Sequence, residues 1–370
     1  MKNPLNSISF LLLLLSISST ALPQFQEDLY RLEQNSSEES QRLELVLHAS
    51  GFFNNNEFFG GNVEGYTLTG SYFQPSLKYT FARNFSLQTG IHLLKYNGQE
   101  DFQQVYPVFG IEYSPLPWVE IRLGTFNQGA NLRLPEPLYK IENQFTDLTG
   151  QGIQIKTRRK LWNSVTWLDW MTFIEPDDPF REEFIFGHSS EFKLLNRDKF
   201  SLGLPLYVLA NHKGGQINDN NDPVETRFDL GTGLSWNQQA DFLFFDRLKA
   251  MANLYFEVSE ENNNDGKALL GYGELSGKLI SFGLGYFYQK NWDSILGEPL
   301  FFSYPIAGNP EMADNHLLFF KAGLGKWITS SSSFTIRLEG YYDTNLNKFQ
   351  YTYGLHIMLN EWIGLWKKKP

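Results

Sequence analysis

The sequence predicts an all-β protein, a transmembrane antiparallel up-and-down β-barrel of about 16 strands. Three observations carry this prediction. Apolar and polar residues alternate with a period of two over long runs, the gaps between the runs alternate between short and long, and no apolar stretch after residue 21 reaches the length of a membrane helix. The clearest runs lie near the end of the chain: His316–Trp327, Ser333–Asp343 and Phe349–Asn360.

The length of these runs distinguishes a membrane barrel from a soluble sheet. In the second run, apolar Ile336 and Leu338 flank the charged Arg337, as in a strand with one apolar and one polar face. A tilted strand needs roughly nine to eleven residues to cross a bilayer, whereas strands of soluble sheets usually have about five or six. The run length therefore favours membrane-spanning strands over a soluble all-β protein.

The first residues have the pattern of a cleaved signal peptide. Lys2 precedes an apolar run centred on Leu11–Leu15, and the small residues Ser19 and Ala21 follow it. The apolar run is too short to span a bilayer as a helix. We therefore expect the mature chain to begin near residue 22 and to be exported.

The gaps between the predicted strands are sorted by parity. Even-numbered gaps such as Ala82–Asn84 are tight and odd-numbered gaps such as Asn127–Thr149 are long. There are two exceptions: Gln238–Asp246 is longer than the other tight gaps, and Thr344–Lys348 is the one short member of the long set. Outer-membrane barrels pair short periplasmic turns with long external loops, and an even strand number places both termini in the periplasm. The predicted order is a signal peptide (1–21), a periplasmic leader (22–41), an outer-membrane barrel (42–366) and a basic tail (367–370).

Composition excludes several classes of function. The 370 residues have a formal net charge of −10, which argues against a nucleic-acid partner because such a partner requires a basic face. The chain has no cysteine, no Gly-rich phosphate loop and no histidine pair at metal-ligand spacing, so we expect no cofactor and no metal site. Asp219 and Asp222 offer oxygen ligands for Ca²⁺, but without an EF-hand-like spacing a solvated loop is favoured.

The chain resembles the porin-like outer-membrane β-barrels of Gram-negative bacteria from about Arg42 to Trp366. General porins carry an inward constriction loop after strand five, where this chain has Asn127–Thr149. Within and after that gap, Leu134–Tyr139 and Gly150–Gln154 are similar to uncharacterised barrels of Bacteroidota-type bacteria. General porins end on an aromatic residue, and this chain departs from them because Lys and Pro residues follow Trp366.

The resemblance implies a passive channel for small hydrophilic solutes. Its partners would be outer-membrane lipid and those solutes, and homo-oligomers occur among such barrels. Two alternatives stay open: a non-conducting barrel that serves as a structural or partner protein in envelope assembly, and, as a minor one, an enzyme like the outer-membrane phospholipases. The sequence-based expectation is that the chain is not an enzyme and has no catalytic residues.

Charged residues on the polar face are the candidates for lining a pore. In one interpretation, opposite charges face each other across a hydrated channel and select polar solutes. In the other, the charges pair within the wall and maintain the shape of the barrel. The candidate positions are Arg42, Glu44, Lys78, Glu112, Glu120, Arg122, Lys156, Arg158, Asp169, Glu191, Lys193, Arg227, Asp229, Arg247, Lys249, Glu257, Lys321, Arg337 and Glu339.

The long gap Asn127–Thr149 is the candidate constriction loop. It holds Arg133, Glu136, Lys140 and Glu142, and prolines stiffen it. Long loops in compact folds are usually functional. We expect the loop to fold toward the lumen, and the alternative is an external cap.

Strands seven and eight carry unusual side chains. Trp162 and Trp170 share a face and are expected in the aromatic girdles, while Trp167 lies on the other face and offers a ring for stacking on a sugar. His188 and Ser190 share the apolar, lipid-facing side of strand eight, and the outer-membrane phospholipases carry a His and a Ser on the outside of a barrel. Residues two apart on a strand are separated by about 7 Å, which is too long for a direct hydrogen bond.

Overall fold

The computed structural model describes residues 40–61, 63–215, 223–259, 265–304, 314–329 and 331–368. The predicted signal peptide, most of the leader, and Asp219 and Asp222 lie outside these ranges. The strands are β1 (Arg42–Glu57), β2 (Tyr66–Ala82), β3 (Phe85–Tyr96), β4 (Gln104–Leu116), β5 (Val119–Asn127), β6 (Thr149–Arg158), β7 (Trp162–Thr172), β8 (Glu182–Asn196), β9 (Phe200–Gly214), β10 (Glu225–Phe242), β11 (Phe245–Ser259), β12 (Gly266–Ser276), β13 (Ile280–Lys290), β14 (Asn315–Trp327), β15 (Ser332–Asp343) and β16 (Lys348–Lys367).

These sixteen strands form one closed antiparallel barrel, which confirms the predicted fold class. Each strand pairs with its neighbours in the chain, and β1 closes the barrel by pairing with β16. Closure leaves no strand edge open, as a sheet within a bilayer requires. Among the described residues no helix has both the length and the apolar character needed to cross a membrane.

Closure explains why several strands run longer than the hydrophobic pattern indicates. The last predicted run stops at Asn360, whereas β16 continues to Lys367, which pairs with Arg42 at the start of β1. The predicted gap Gln238–Asp246 is also wrong, because β10 and β11 extend until only residues 243–244 connect them. Backbone groups at these positions find partners on the neighbouring strand, so pairing persists where side-chain alternation fades.

The two ends of the barrel differ in their connections. At the short-turn end, connections such as residues 83–84 and 117–118 have two residues. At the long-loop end, residues 128–148 join β5 to β6 and residues 291–314 join β13 to β14. The parity predicted from the gaps is therefore present, and the connection at residues 243–244 obeys it as well. Residues 344–347, between β15 and β16, stay the one short connection at the long-loop end.

Side chains alternate between a buried inner face and an exposed outer face. On β15, Leu338 is 44% exposed, whereas its neighbours Arg337 and Glu339 are 6% and 3% exposed. Trp162 and Trp170 lie at opposite ends of β7. Trp162 stacks on Phe192 with ring centroids 5.7 Å apart. The apolar side chains thus face outward, which is the arrangement of a barrel that is embedded in a lipid bilayer.

Two connections at the long-loop end fold into the bore. The first inward segment comprises residues 128–148 and contains a 3₁₀ turn, Gly129–Leu132, and the short helix α1, Asn143–Thr146. The second inward segment comprises residues 291–304 and contains a 3₁₀ turn, Pro299–Phe301. Their apolar side chains share one core with the wall, formed by Leu132, Leu138, Tyr139, Trp292, Leu300 and Phe301 against Trp167, Tyr255, Phe287, Phe319 and Tyr341.

The expected inward course of Asn127–Thr149 is therefore present. Trp167, suggested as a sugar-stacking ring, is only 1% exposed because the first inward segment covers it. On the opposite wall, Phe145 of α1 packs against Phe52 with ring centroids 5.2 Å apart. The first inward segment thus contacts both sides of the bore.

Candidate functional site

The two inward segments are joined to each other and to the wall. Lys140 N donates to Leu296 O at 2.7 Å, and Glu298 N donates to Glu136 O at 3.1 Å. A Cβ at Gly297 would lie 2.3 Å from Pro137 O, so only glycine permits this approach. Among the described residues, these contacts bridge the bore at the level of the inward segments.

A central charged cluster surrounds this bridge, and we define it as Glu136, Lys140, Glu142, Glu298, Lys321, Arg337 and Glu339. Lys321 of β14 forms an ion pair with Glu136 and lies 3.6 Å from Glu339. Arg337 and Glu339 form a second ion pair of 2.6 Å on β15. The wall thus supplies cations that compensate the buried carboxylate of the first inward segment.

Lys140 is held at the outer edge of this cluster. Its Nζ lies 2.8 Å from Glu142 and donates to the hydroxyl of Tyr66 at 2.7 Å, and Tyr66 in turn donates to Glu142. Three of the four constriction candidates thus belong to the cluster. The fourth, Arg133, has a left-handed backbone with a φ of 56° and lines the cavity below the cluster.

The carboxyl group of Glu298 is less acidic than an exposed one. Burial, together with the negative charges of Glu136 and Glu142, raises the pKa of its carboxyl to about 8, although Lys140 opposes this rise. A carboxyl group with this pKa holds its proton at neutral pH. The centre of the bore therefore contains a group that titrates under physiological conditions.

The charged candidates at the short-turn end form networks within the wall. Glu112 accepts from Lys78 at 2.6 Å and from Arg122 at 2.5 Å. Glu120 lies 3.7 Å from Lys156 and 3.1 Å from Arg158. Each of these pairs joins neighbouring strands or adjacent hairpins, which supports the wall-pairing interpretation for this region.

Ion pairs on the inner wall form both within one strand and between strands. Arg337 does pair with Glu339 on its own strand, but Arg227 pairs with Glu257 at 3.2 Å and Glu191 accepts from Ser235 at 2.5 Å. Glu257 lies diagonal to Arg227 on the adjacent strand, and Ser235 lies two strands from Glu191, across Gly203. Diagonal neighbours about 7–8 Å apart are within reach of long side chains. The closed sheet therefore selects the partners.

The remaining candidates also lie on the inner face. Arg42 pairs with Glu44 at 2.9 Å, Asp169 accepts from Gln128 at 2.6 Å, and Asp229 accepts from Ser294 at 2.8 Å. Strand register places Lys193 opposite Gly203, Arg247 opposite Ser276, and Lys249 opposite Glu274. That these residues line a conducting passage stays a prediction.

Beneath the inward segments lies a cavity of about 360 Å³. Arg133 and Glu136 of the first inward segment form its roof. Asn163, Asn237 and Lys249 lie near the short-turn end of their strands and form its lower wall. The cavity therefore occupies the half of the lumen that faces the short turns.

The membrane-facing wall carries an outer polar patch, which we define as Thr157, Ser164, Thr166, His188 and Ser190. In the strand register Thr166 lies opposite His188, and Ser164 lies opposite Ser190 on one side and Thr157 on the other. Thr166 Oγ1 is 2.8 Å from His188 Nδ1. The hydrogen-bond partner of His188 on β8 is thus the hydroxyl of Thr166 on the neighbouring strand β7, and not Ser190.

Sequence reasoning did not identify the second inward segment or the hydroxyls of β7. One signal for the segment was present, because Ile295, Leu296, Leu300 and Phe301 are too apolar for an external loop. The hydroxyls at Thr166 and Ser164 gave no such signal, because their proximity to His188 depends on the register of β7 against β8.

Comparisons with known proteins identify both the fold and a family. Three similar solved structures are a loop-deletion mutant of OmpT from Vibrio cholerae (TM-score 0.52, 10% identity, 87% of this chain and 100% of that chain), OprD from Pseudomonas aeruginosa (0.52, 10%, 89% and 98%) and an anion-selective porin from Comamonas acidovorans (0.51, 9%, 87% and 100%). No curated protein matches the chain. At such identities the likeness shows a porin-like outer-membrane barrel fold and nothing more.

The family match concerns almost the whole chain. The model of a family described as lipid A 3′-O-deacylase-type matches residues 34–368. The description is that of an enzyme family, which overturns the expectation that this chain is not an enzyme. The sequence patterns predicted the barrel and left an enzyme only as a minor alternative, because alternation and loop parity report architecture and not chemistry. The chain is therefore a sixteen-stranded outer-membrane β-barrel that belongs to the lipid A 3′-O-deacylase-type family.

Proposed function

We propose that this barrel hydrolyses an acyl ester of an outer-membrane glycolipid of the lipid A class at the outer polar patch. The observation that carries the proposal is the 2.8 Å contact between Thr166 Oγ1 and His188 Nδ1 on the face that meets lipid. A hydroxyl within hydrogen-bond reach of an imidazole is the arrangement of a nucleophile and its base. Family membership supports ester hydrolysis as the reaction.

The position of the patch supports a functional role. Polar side chains are costly in the interior of a membrane and are usually retained there for function. Other pairs on the outer wall, Thr226 with His212 and Tyr286 with His316, lie near the long-loop end, where polar groups meet the interface. Thr166, in contrast, is four residues from both Trp162 and Trp170.

In the proposed reaction His188 is the general base and Thr166 the nucleophile. His188 Nδ1 takes the hydroxyl proton as Thr166 Oγ1 attacks the ester carbonyl carbon. The resulting oxyanion accepts a hydrogen bond from Ser190, whose buried Oγ has no partner among the described residues. Collapse breaks the bond to the sugar oxygen, which takes the proton from His188.

The second half of the reaction restores the enzyme. Water loses a proton to His188 and attacks the acyl-Thr166 ester, and the fatty acid leaves as Thr166 Oγ1 regains a proton. No carboxylate hydrogen-bonds to His188 in the described part of the chain, so the base acts as a member of a dyad. Ser164, beside Ser190 in the register, is a second donor available for the oxyanion.

The substitution His188→Phe tests this reaction, with His212→Phe as the matched control on the same wall. Removing a general base lowers rates by about 10²–10⁴-fold. Each variant is expressed in a Gram-negative host, and the lipid A of that host is analysed by mass spectrometry. We expect the native chain and His212→Phe to remove one acyl chain from lipid A, and we expect His188→Phe to leave lipid A intact. Deacylation by a folded His188→Phe protein at the native rate would refute the assignment.

A second candidate function is a narrow passage for small hydrophilic solutes. The observation that favours it is the cavity below the central charged cluster, which holds groups of both signs between the inward segments and the wall. Charged constrictions of this kind select among polar solutes. Deletion of Leu134–Asn143 from the first inward segment tests this function by its effect on conductance.

We also propose that the short turns and both termini face the periplasm, so that the long loops face the exterior. The sorting of connections by length supports this orientation. An epitope inserted at residue 220 should be labelled on intact cells and one appended after residue 370 should not. The reverse labelling pattern would show that the barrel has the opposite orientation in the membrane.

A further inference from the structure

The luminal cavity has a flat aromatic wall. The ring of Tyr272 on β12 lies over Gly283, and that of Phe319 on β14 lies over Gly285, so close that a Cβ at either glycine would be within 2.3 Å of a side-chain atom. The two rings stack with centroids 5.9 Å apart and an interplanar angle of 11°. The glycines thus allow the rings to lie against the wall as one platform that lines the cavity.

Hydrogen-bonding groups surround this platform. Glu274 accepts from the Tyr272 hydroxyl at 2.6 Å, and Glu191 accepts from Ser235 at 2.5 Å. Asn253 is fully buried in the lining and donates to Tyr255 at 3.0 Å, while its Oδ1 has no partner in the described residues. The cavity therefore combines an apolar surface with carboxylate, hydroxyl and amide groups directed at its margin.

The charges of the lining are balanced. Four basic residues and four acidic residues line the cavity. On its roof Lys321 is already paired with Glu136, and Arg337 with Glu339. A charged ligand would have to compete with these ion pairs, whereas a neutral ligand leaves them undisturbed.

We propose that the cavity binds a neutral, hydroxyl-rich solute of the size of a monosaccharide or disaccharide. The apolar face of a sugar ring packs on the Tyr272 end of the platform, because Phe319 is 6% exposed and Phe301 packs against it. The hydroxyls of the sugar exchange hydrogen bonds with Glu274, Glu191 and their partners. The volume of about 360 Å³ lies at the lower end of the range for small-molecule sites, which fits one such ligand. This binding site lies inside the barrel and is independent of the reaction proposed at the outer wall.

Calorimetric titration of the purified full-length barrel in detergent tests the proposal. Maltose is the probe, galacturonate and glucosamine are its charged counterparts, and Tyr272→Leu removes half of the platform. Tyr286→Leu, on the outer wall, is the matched control. We expect saturable binding of maltose, at least tenfold weaker binding of both charged sugars, and at least tenfold weaker maltose binding by Tyr272→Leu but not by Tyr286→Leu.

A second luminal variant tests the proposal independently, in case Tyr272→Leu does not fold. Asn237→Trp places a large side chain at the lower wall without touching the platform, and it should abolish maltose binding in a barrel that still migrates as folded. The proposal is overturned if no maltose binding is detected, if the charged sugars bind as tightly as maltose, or if both luminal variants bind maltose like the native chain. Loss of deacylation in His188→Phe should leave maltose binding unchanged, which separates this site from the outer patch.

Discussion

Leu234→Arg is expected to prevent assembly of the barrel, whereas Asn237→Arg on the same strand is expected to assemble. Leu234 lies at the middle of β10 and is 49% exposed on the outer face. Arg on the lipid face at the bilayer midplane costs about 2–4 kcal/mol. Asn237 lines the polar cavity near the short-turn end, where a long basic side chain can reach water.

The heat-modifiable gel shift of membrane fractions measures the outcome directly. The folded fraction of Leu234→Arg should be small, and that of Asn237→Arg close to the native value. A smaller folded fraction for Asn237→Arg than for Leu234→Arg would mean that the outer and inner faces are exchanged. Equal fractions would mean that Leu234 does not face lipid, which would overturn the assignment of the outer face.

Deletion of Leu134–Asn143 is expected to open the bore. These residues supply Leu138 and Tyr139 to the luminal core and Glu136 to the ion pair with Lys321. Their loss removes the contacts that bridge the two inward segments, so single-channel conductance in planar bilayers should rise several-fold over that of the native barrel. Larger uncharged polymers should also enter.

A deletion in another connection controls for loss of stability. Residues 175–178 lie between β7 and β8 at the long-loop end and are largely exposed, so their removal should leave conductance unchanged. If the Leu134–Asn143 deletion assembles and conducts no better than the native chain, the second inward segment alone closes the bore. In that case the first inward segment does not form the constriction of the proposed passage.

Much of this fold is encoded in local sequence. Alternation along β15 distinguishes Leu338 from Arg337, because successive side chains of a strand point to opposite faces. The parity of the gaps gives the strand number and separates the two ends of the barrel. Trp162 and Trp170 mark the two ends of β7. These properties depend on neighbours within one strand or one hairpin, so they can be read without knowing the rest of the structure.

The chemistry depends on contacts that only the closed barrel creates. Thr166 meets His188 through the register of β7 against β8, and Glu136 meets Lys321 although 185 residues separate them in the chain. The inward course of residues 291–304 follows from the need to bury Leu300 and Phe301, for which the bore is the available apolar surface. Sequence alone therefore determined the barrel and its faces, whereas tertiary structure decided the partners, because strand register and loop direction arise only when the sheet closes.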